Sequence, residues 1–289
     1  MTIDVIKIAR TVTSADAILI GAGAGMGVDS GLPDFRGKQG FWNAYPPIAQ
    51  IGLKFEDVAN PKRFIEKPEL AWGFYGHRFQ LYRNTQPHEG YFILKKWCED
   101  LNIPSFVFTS NVDGHFAQAG WREQLVECHG SLMKLQCLKN CGQTIWSTHS
   151  SSVKDMDVCM KTITCQSELP RCPSCNALAR PNILMFSDFF WDPHTLIKQE
   201  KALKDWLSQN GNKKLLVIEI GAGLTIPTVR SFCENVRYLH DCKMIRINPR
   251  DHDKGNKITP VSMAALEAID LIDQEIRKGQ KAAYFLIRP

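Results

Sequence analysis

Four cysteines fall in two close pairs. Cys137 and Cys141 have three residues between them, Cys172 and Cys175 have two, and 30 residues separate the pairs. Four thiolates grouped in this way suit a closed, tetrahedral zinc site of the structural kind. The first pair departs from the commoner two-residue spacing, so Cys159 or Cys165 could replace one ligand, and buried free thiols are the plain alternative. A second group of chemistry-bearing residues is GAGAGMGVDSGLPDFRG at 21–37, where Gly21, Gly23, Gly25 and Gly27 directly follow an apolar run. Glycines there let backbone N–H groups approach a pyrophosphate closely. The dehydrogenase fingerprint, however, needs G-x-G-x-x-G opening a helix, with an acidic residue about 20 residues further on. Here the third glycine is misplaced and Pro33 interrupts any helix, which argues against hydride transfer. Glycines serving only a tight turn are the other alternative.

Such residues need elements to position them. Short apolar runs at Ala17 to Ile20, Ser105 to Phe108, Leu215 to Ile220 and Met244 to Ile247 read as buried parallel strands. After them come the glycine loop, TSNVDGH, GAGLTIP, and the pair Asn248 and Pro249. Ligands of open α/β sheets bind beyond the carboxyl ends of the strands, so these four loops should converge on one crevice. Two stretches break the rhythm. The first, containing FWNAYPP and PELAWGFYGHRFQLY, has helical patterning and no strand; the second carries the cysteine pairs and too little apolar side chain to hold itself without a metal. The expected fold is therefore α/β, a Rossmann-like parallel sheet (1–38, 86–133 and 181–289) with a small domain built from a helical insert (39–85) and a zinc-binding module (134–180).

Composition narrows the function classes. A chain of 289 residues is long enough for about two domains. It is 44% hydrophobic and 22% charged, with no apolar run of bilayer-spanning length, so no membrane association is expected. The net charge of +5 comes from 35 basic and 30 acidic residues that form no block, so no nucleic-acid partner is indicated. Ten cysteines behind an N-terminus without signal-peptide features point to a reducing, cytoplasmic compartment.

Several motifs taken together carry a resemblance. GAGAGMGVDSGLPDFRG resembles the first signature of the sirtuins, the NAD-dependent protein lysine deacylases. TSNVDGHF is similar to their TQNIDGLH, ECHGSL to E-L-H-G-S, RPNILMFSD to the RP segment ending in F-G-E, and IGAGLTIPT to GTSLxVxP. All occur in the family's order, with the cysteine pairs where that family keeps structural zinc. The resemblance implies NAD and zinc as cofactors and acylated lysine on proteins or peptides as substrate. Gly23, Ala24 and Gly25 would then hold the NAD diphosphate, and Asp34, Phe35 and Arg36 would close over the nicotinamide ribose. It further implies Ser110, Asn111 and Asp113 on the nicotinamide side, Gly221, Ala222 and Gly223 along the cofactor, Asn248 near the adenosine ribose, Phe186 beside the substrate, and His129 as the catalytic histidine. Asn111 and Asp113 count with His129 as catalytic.

Departures accompany the match. The family's GAG-x-S serine is Gly27 here, the glutamine of TQN is Ser110, the Thr-Ser of GTS is Ala222-Gly223, and the Gly-Glu of the RP segment is Ser187-Asp188. Each lost hydrogen bond would cost about 0.5 to 1.5 kcal/mol. His129 also has a physical case of its own. Cleaving nicotinamide from ribose involves an already cationic leaving group, so the chemistry needs a base, and an imidazole near pKa 6.5 can take a hydroxyl proton at neutral pH. His115 reads as a local structural contact.

The acyl group is hinted at by the insert. Tyr75 and Arg78 are three apart on the expected helix and share a face. The segment looks like the Tyr-x-x-Arg signature of the sirtuin branch that removes succinyl and malonyl groups, and a guanidinium fork suits a carboxylate. In the alternative, Tyr75 packs and Arg78 reaches solvent. The expected activity is thus deacetylation and/or desuccinylation with release of nicotinamide and O-acyl-ADP-ribose. Mono-ADP-ribosyl transfer or NAD hydrolysis on the same fold, or an inactive NAD-sensing module, are the rival functions.

Overall fold

The computed structural model describes residues 4–34, 37–150 and 152–287; Phe35 and Arg36 lie outside the described residues. Helix α1 (Val5–Thr13) starts at Asp4, whose side chain accepts from the Lys7 N–H at 2.9 Å and so satisfies one of the helix's orphan donors. It leads into strand β1 (Ala17–Ala22), all six residues of which are buried. Helices α2 (Gly37–Ala44), α3 (Pro46–Gln50), α4 (Phe55–Val58), α5 (Lys62–Glu66) and α6 (Pro68–Asn84) form the insert, as the patterning predicts, and α7 (Glu89–Asp100) returns the chain to β2 (Ser105–Thr109). After α8 (His115–Gln118) and β3 (Leu125–Glu127) come β4 (Gly130–Cys137), β5 (Trp146–Ser147), β6 (Val158–Cys159), β7 (Thr164–Cys165) and β8 (Ala179–Ile183). The chain ends with α9 (His194–Asn210), β9 (Leu215–Ile220), α10 (Thr228–Leu239), β10 (Lys243–Ile247), β11 (Ile258–Val261) and α11 (Ala265–Ile287).

Six strands form one parallel sheet in the order β3-β2-β1-β9-β10-β11. Strands after β1 are added on one side as β2 and β3 and on the other as β9, β10 and β11, which makes the crevice outside the carboxyl ends of β1 and β9 the topological switch point. The four expected strands are all present within two residues at their ends. The two edge strands are not legible in the sequence, because β3 has only three residues and β11 contains Pro260, tolerated where one side of a strand is unpaired. In β1, Ile18, Ile20 and Ala22 join a core with α1, α7 and α11, whereas Ala17 and Leu19 join another with α9 and α10. Both faces are covered, which explains the uninterrupted apolar runs. Among the described residues, no helix is long and apolar enough to cross a membrane.

A third core lies outside this sheet. Phe41, Tyr45, Phe64, Trp72, Phe74 and Tyr75 of the insert pack with Leu132, Leu135, Ile163 and Ile183. Helix α6 approaches β7 so closely that a side chain at Gly73 would collide with the Ile163 carbonyl. The 134–180 segment is therefore not held by metal ligands alone, as its composition suggests; it takes its apolar partners from the insert. The antiparallel sheet β5-β4-β8 and the β6-β7 ribbon are the strands it contributes.

The parallel sheet and this second layer meet at one sharp junction. Strand β3 ends at Glu127 and β4 begins at Gly130, whose φ of 76° is one that L side chains rarely adopt. A methyl group there would also strike the Asn182 carbonyl on β8. We expect Gly130→Ala to cost about 2 kcal/mol or more of stability. A lower urea midpoint at unchanged slope would register that loss, and an unchanged midpoint would contradict it.

Candidate active site

The loops after β1 and β9 touch backbone to backbone. Gly23 N–H donates to the Ile220 carbonyl at 2.9 Å and Gly25 N–H to that of Gly221 at 3.0 Å. A Cβ added to Gly23 would lie 2.7 Å from the Gly221 oxygen, and one added to Gly25 would lie 2.7 Å from the Gly221 Cα. Gly221 itself has φ of 61°, a left-handed conformation. The sequence reading of these N–H groups as free to meet a pyrophosphate thus needs correcting at Gly23 and Gly25, where they bind the neighbouring loop. What the glycines provide is a flush wall at the switch point, continued by the 3-10 turn Ala24–Ser30.

Strand β2 delivers the next group. The Thr109 hydroxyl donates to the Ala22 carbonyl at 2.8 Å and accepts from Asn111 N–H at 3.1 Å, and Ser110 N–H reaches the same carbonyl at 3.2 Å. This stitching turns Asn111 and Asp113 inward, where both are buried. Asp113 accepts from the His115 N–H at 2.8 Å. Burial raises the Asp113 pKa, while the nearby charges of His115 and Arg78 oppose the rise. The Asn111 amide nitrogen is buried and has no acceptor among the described residues. A buried donor left over in this way fits a carbonyl-bearing ligand such as a carboxamide. At Gly27 an added Cβ would meet only Leu32 at 3.4 Å and Asp113 Oδ2 at 3.7 Å, so the backbone there accommodates the serine that the sirtuin signature carries.

His129 sits at the junction between the layers, its carbonyl accepting from Leu184 N–H at 3.0 Å. Its Nε2 lies 3.3 Å from the Thr228 hydroxyl at the start of α10. Burial lowers its pKa below the ordinary 6.5, so the imidazole is neutral and able to accept a proton at pH 7. Thr228 was not singled out in the sequence, where only its adjacency to GAGLTIP marks it.

On the far side of β9, Asn248 is spent on the loop. Its amide nitrogen donates to the Ala222 carbonyl at 2.9 Å, and its oxygen accepts from Arg250 and Asp251 N–H, each at 3.0 Å. It shapes the cleft floor through the backbone. Asp34 lies 3.5 Å from the Arg250 guanidinium, tying the first loop to this one. Ala222 is buried and Gly223 is half-buried.

Tyr75 and Arg78 share a buried face of α6. The Tyr75 ring stacks on Phe64 at 5.7 Å, and burial pushes its phenol up to about 12. Arg78 does not reach solvent. Its Nε donates to the Tyr82 hydroxyl at 3.0 Å, Nη2 donates to the same oxygen, and the guanidinium lies over the Phe74 ring at 5.4 Å. Tyr82, four residues along the helix, is a partner the sequence reading missed. Phe186 packs edge-on to Phe55 at 5.7 Å, and its N–H donates to the Ala59 carbonyl at 2.9 Å. Near it, Asp188 is buried and paired with both terminal nitrogens of Arg180, Nη1 at 3.0 Å. The Asp188 carboxylate also accepts from Met185 and Phe190 N–H. The Ser187-Asp188 departure therefore keeps a structural acid in the RP segment.

The cysteine pairs converge. Sγ atoms of Cys137, Cys141, Cys172 and Cys175 all lie within 4.8 Å of one another, with 137–175 and 141–172 both at 3.6 Å. A disulfide would need about 2.05 Å, so these are thiols. Zinc–sulfur bonds of about 2.3 Å in a tetrahedron place sulfurs about 3.8 Å apart, close to what is seen. Cys165 is buried in the third core and donates to Ser167, and Cys159 lies on β6, so neither replaces a ligand. The donor set fits a structural zinc ion, which would fasten β4 to the 172–175 turn. We expect one zinc per chain by metal analysis, and loss of zinc with a lower melting midpoint in Cys172→Ser. A metal-free protein that keeps its midpoint on addition of zinc would contradict this.

Comparisons with known proteins bear on this arrangement. The Sir2 family profile matches residues 23–210. A protein named NAD-dependent protein deacylase from Pyrococcus abyssi is 32% identical over 184 residues, which cover 64% of this chain and 66% of that protein, just under two thirds. NAD-dependent protein deacylase 1 of Archaeoglobus fulgidus is 26% identical over 278 residues, 96% of this chain and 98% of its own length. Among solved structures, an ADP-ribose complex of a Sir2 homologue mutant superposes with a TM-score of 0.68 at 25% identity, covering 95% of this chain and 97% of that one.

Proposed function

Because the chain belongs to the Sir2 family, we propose that it is a NAD-dependent protein lysine deacylase that acts on acylated lysine and releases nicotinamide, free lysine and O-acyl-ADP-ribose. The observation that carries this proposal is His129, a neutral, part-buried imidazole at the junction of the two layers, 3.3 Å from Thr228 and beside the switch-point crevice. When bound there, NAD supplies a ribose carbon that loses nicotinamide and gains a bond to the acyl oxygen of the substrate. The residues of the chain then have separate tasks. Asn111 offers its unpaired amide donor to the carboxamide, with Asp113 beside it. Asp34, which lies 3.5 Å from Arg250, is assigned to the nicotinamide-ribose side. Gly23, Ala24, Gly25 and Gly221–Gly223 form the wall along the diphosphate, and Asn248 shapes the adenosine side through the loop it holds. His129 would accept the proton of a ribose hydroxyl at its neutral imidazole.

The acyl specificity proposed is for acidic groups such as succinyl. Arg78 is charged, buried among Phe74, Tyr75 and Tyr82, and within electrostatic reach of Asp113. A guanidinium already withdrawn from water gains more from a carboxylate ligand than an exposed one, since screening is weaker there. Phe186 contributes an apolar wall on the substrate side.

For His129→Ala we expect nicotinamide release with acyl peptide to fall by about 10²- to 10⁴-fold while ADP-ribose binding is retained. Because burial lowers the imidazole pKa, the wild-type rate should hold as pH falls through 6.5 and decline only below it. Unchanged turnover in folded His129→Ala would place the base elsewhere. Wild-type protein should favour succinyl- over acetyl-lysine by roughly 10- to 150-fold, the equivalent of a charged hydrogen bond of about 1.5 to 3 kcal/mol. Arg78→Met should erase desuccinylation and spare deacetylation; equal loss of both would make Arg78 structural.

A further inference from the structure

A cluster of buried charge lies on β9, β10 and α10, next to the loops that border the cleft. Arg246 on β10 and Glu219 on β9 are cross-strand neighbours, and both are buried. Arg246 Nε donates to Glu219 Oε1 at 2.7 Å and Nη2 to Oε2 at 3.1 Å; the same Nη2 lies 2.5 Å from Glu234 of α10. Next to this pair stands Arg230, on the first turn of α10 and 5% exposed. Its Nη2 is 3.7 Å from Glu219. Arg246 is shared with Glu234, so Arg230 adds charge to this cluster, but from a longer distance than Arg246.

The remaining contacts of Arg230 all fall on the loops that border the cleft. Nη1 donates to Asp253 Oδ2 at 2.8 Å, and Nη2 donates to the Asp251 carbonyl and, at 3.5 Å, to the Ala222 carbonyl. The Ala222 oxygen is the same atom that accepts from Asn248. One guanidinium thus fastens the loop after β10 to the loop after β9, and it does so from a helix packed on the sheet. Asp253 is 61% exposed, and besides the Arg230 contact at 2.8 Å it has, among the described residues, only longer contacts, at 3.5 Å, from Arg246 Nη1.

We infer that Arg230 is a positioning residue for NAD: it holds the 248–253 loop against Ala222 so that the adenosine side of the cleft is formed before the cofactor arrives. The inference rests on the proposed NAD site. Ordering a loop during binding weakens affinity, and ordering it beforehand removes that cost. This sequence lacks the Thr-Ser hydroxyls that the sirtuin GTS segment would offer at 222–223, so a preformed backbone takes on more of the work there. Arg230 touches no reacting atom, and its effect should appear in binding and not in the chemical step.

The test compares full-length wild type, Arg230→Met, Arg230→Lys and Asp253→Asn, using ADP-ribose titration by calorimetry and steady-state kinetics with acyl peptide. Arg230→Met should weaken ADP-ribose binding and raise KM for NAD by about tenfold or more, with kcat at saturating NAD and KM for the peptide within about threefold of wild type. Arg230→Lys should recover part of the affinity. Asp253→Asn leaves the buried Arg246–Glu219 pair intact and should shift affinity in the same direction by a smaller factor, which keeps the test decisive if Arg230→Met does not fold. If ADP-ribose binds wild type and both Arg230→Met and Asp253→Asn alike, or if kcat falls while KM holds, the positioning role is overturned. Wild type that binds no ADP-ribose would instead overturn the NAD site itself.

Discussion

Two loops from the middle of the parallel sheet meet with no side chain between them, and the rest of the site is arranged around that contact. Gly23 and Gly25 after β1 and Gly221 after β9 each have the opposing backbone where a Cβ would go. Close approach at this point brings the carboxyl ends of β1 and β9 into one wall, so the crevice at the switch point has a continuous floor instead of a gap. Asn248 extends the floor by donating to Ala222, and Asp34 connects it to Arg250. On the other side, Thr109 bonds the β2 loop to Ala22 and turns Asn111 and Asp113 toward the same crevice.

Two residues of chain, Cys128 and His129, carry the first layer into the second at its sharpest junction. Glu127 ends the parallel sheet, Gly130 opens the antiparallel one, and His129 lies between them. His129 is held by two frameworks at once, by Thr228 on α10 and by the Leu184 N–H after β8. Helix α6 serves the same layer. It packs Gly73 against the β7 backbone on one side and directs Tyr75 and Arg78 into the aromatic core on another. The buried Tyr75 and Arg78 and the four-thiol cluster therefore belong to one packed unit, with the thiols at its outer end.

Much of this was legible in the sequence where one physical cause leaves one pattern. Runs such as Leu215–Ile220 are apolar throughout because both faces of a central strand are covered, and the cysteine spacing allows few arrangements other than a four-thiol cluster. Where two causes leave the same pattern, the reading was ambiguous. Glycines that admit a phosphate and glycines that admit a neighbouring loop look alike, and at Gly23 and Gly25 the structure has the second. Long-range pairings left no signal: Asp188 read as a departure until its buried bond to Arg180 was visible, and Arg230 carried no motif. The edge strands β3 and β11 were missed because short, half-paired segments bury too little to impose a pattern. Tyr82 stood four residues from Arg78 in plain view, yet only packing reveals that its oxygen accepts from that guanidinium.

The fate of the acyl group separates deacylation from the rival reactions. Mass analysis of the products formed from NAD and a succinyl-lysine peptide tests it most directly, because mono-ADP-ribosyl transfer and NAD hydrolysis on this fold also release nicotinamide. A deacylase yields one O-succinyl-ADP-ribose and one unmodified lysine for each nicotinamide released, and that is the expected result. Nicotinamide accompanied only by free ADP-ribose or an ADP-ribosylated acceptor, with the acyl-lysine intact for both succinyl and acetyl peptides, would contradict it.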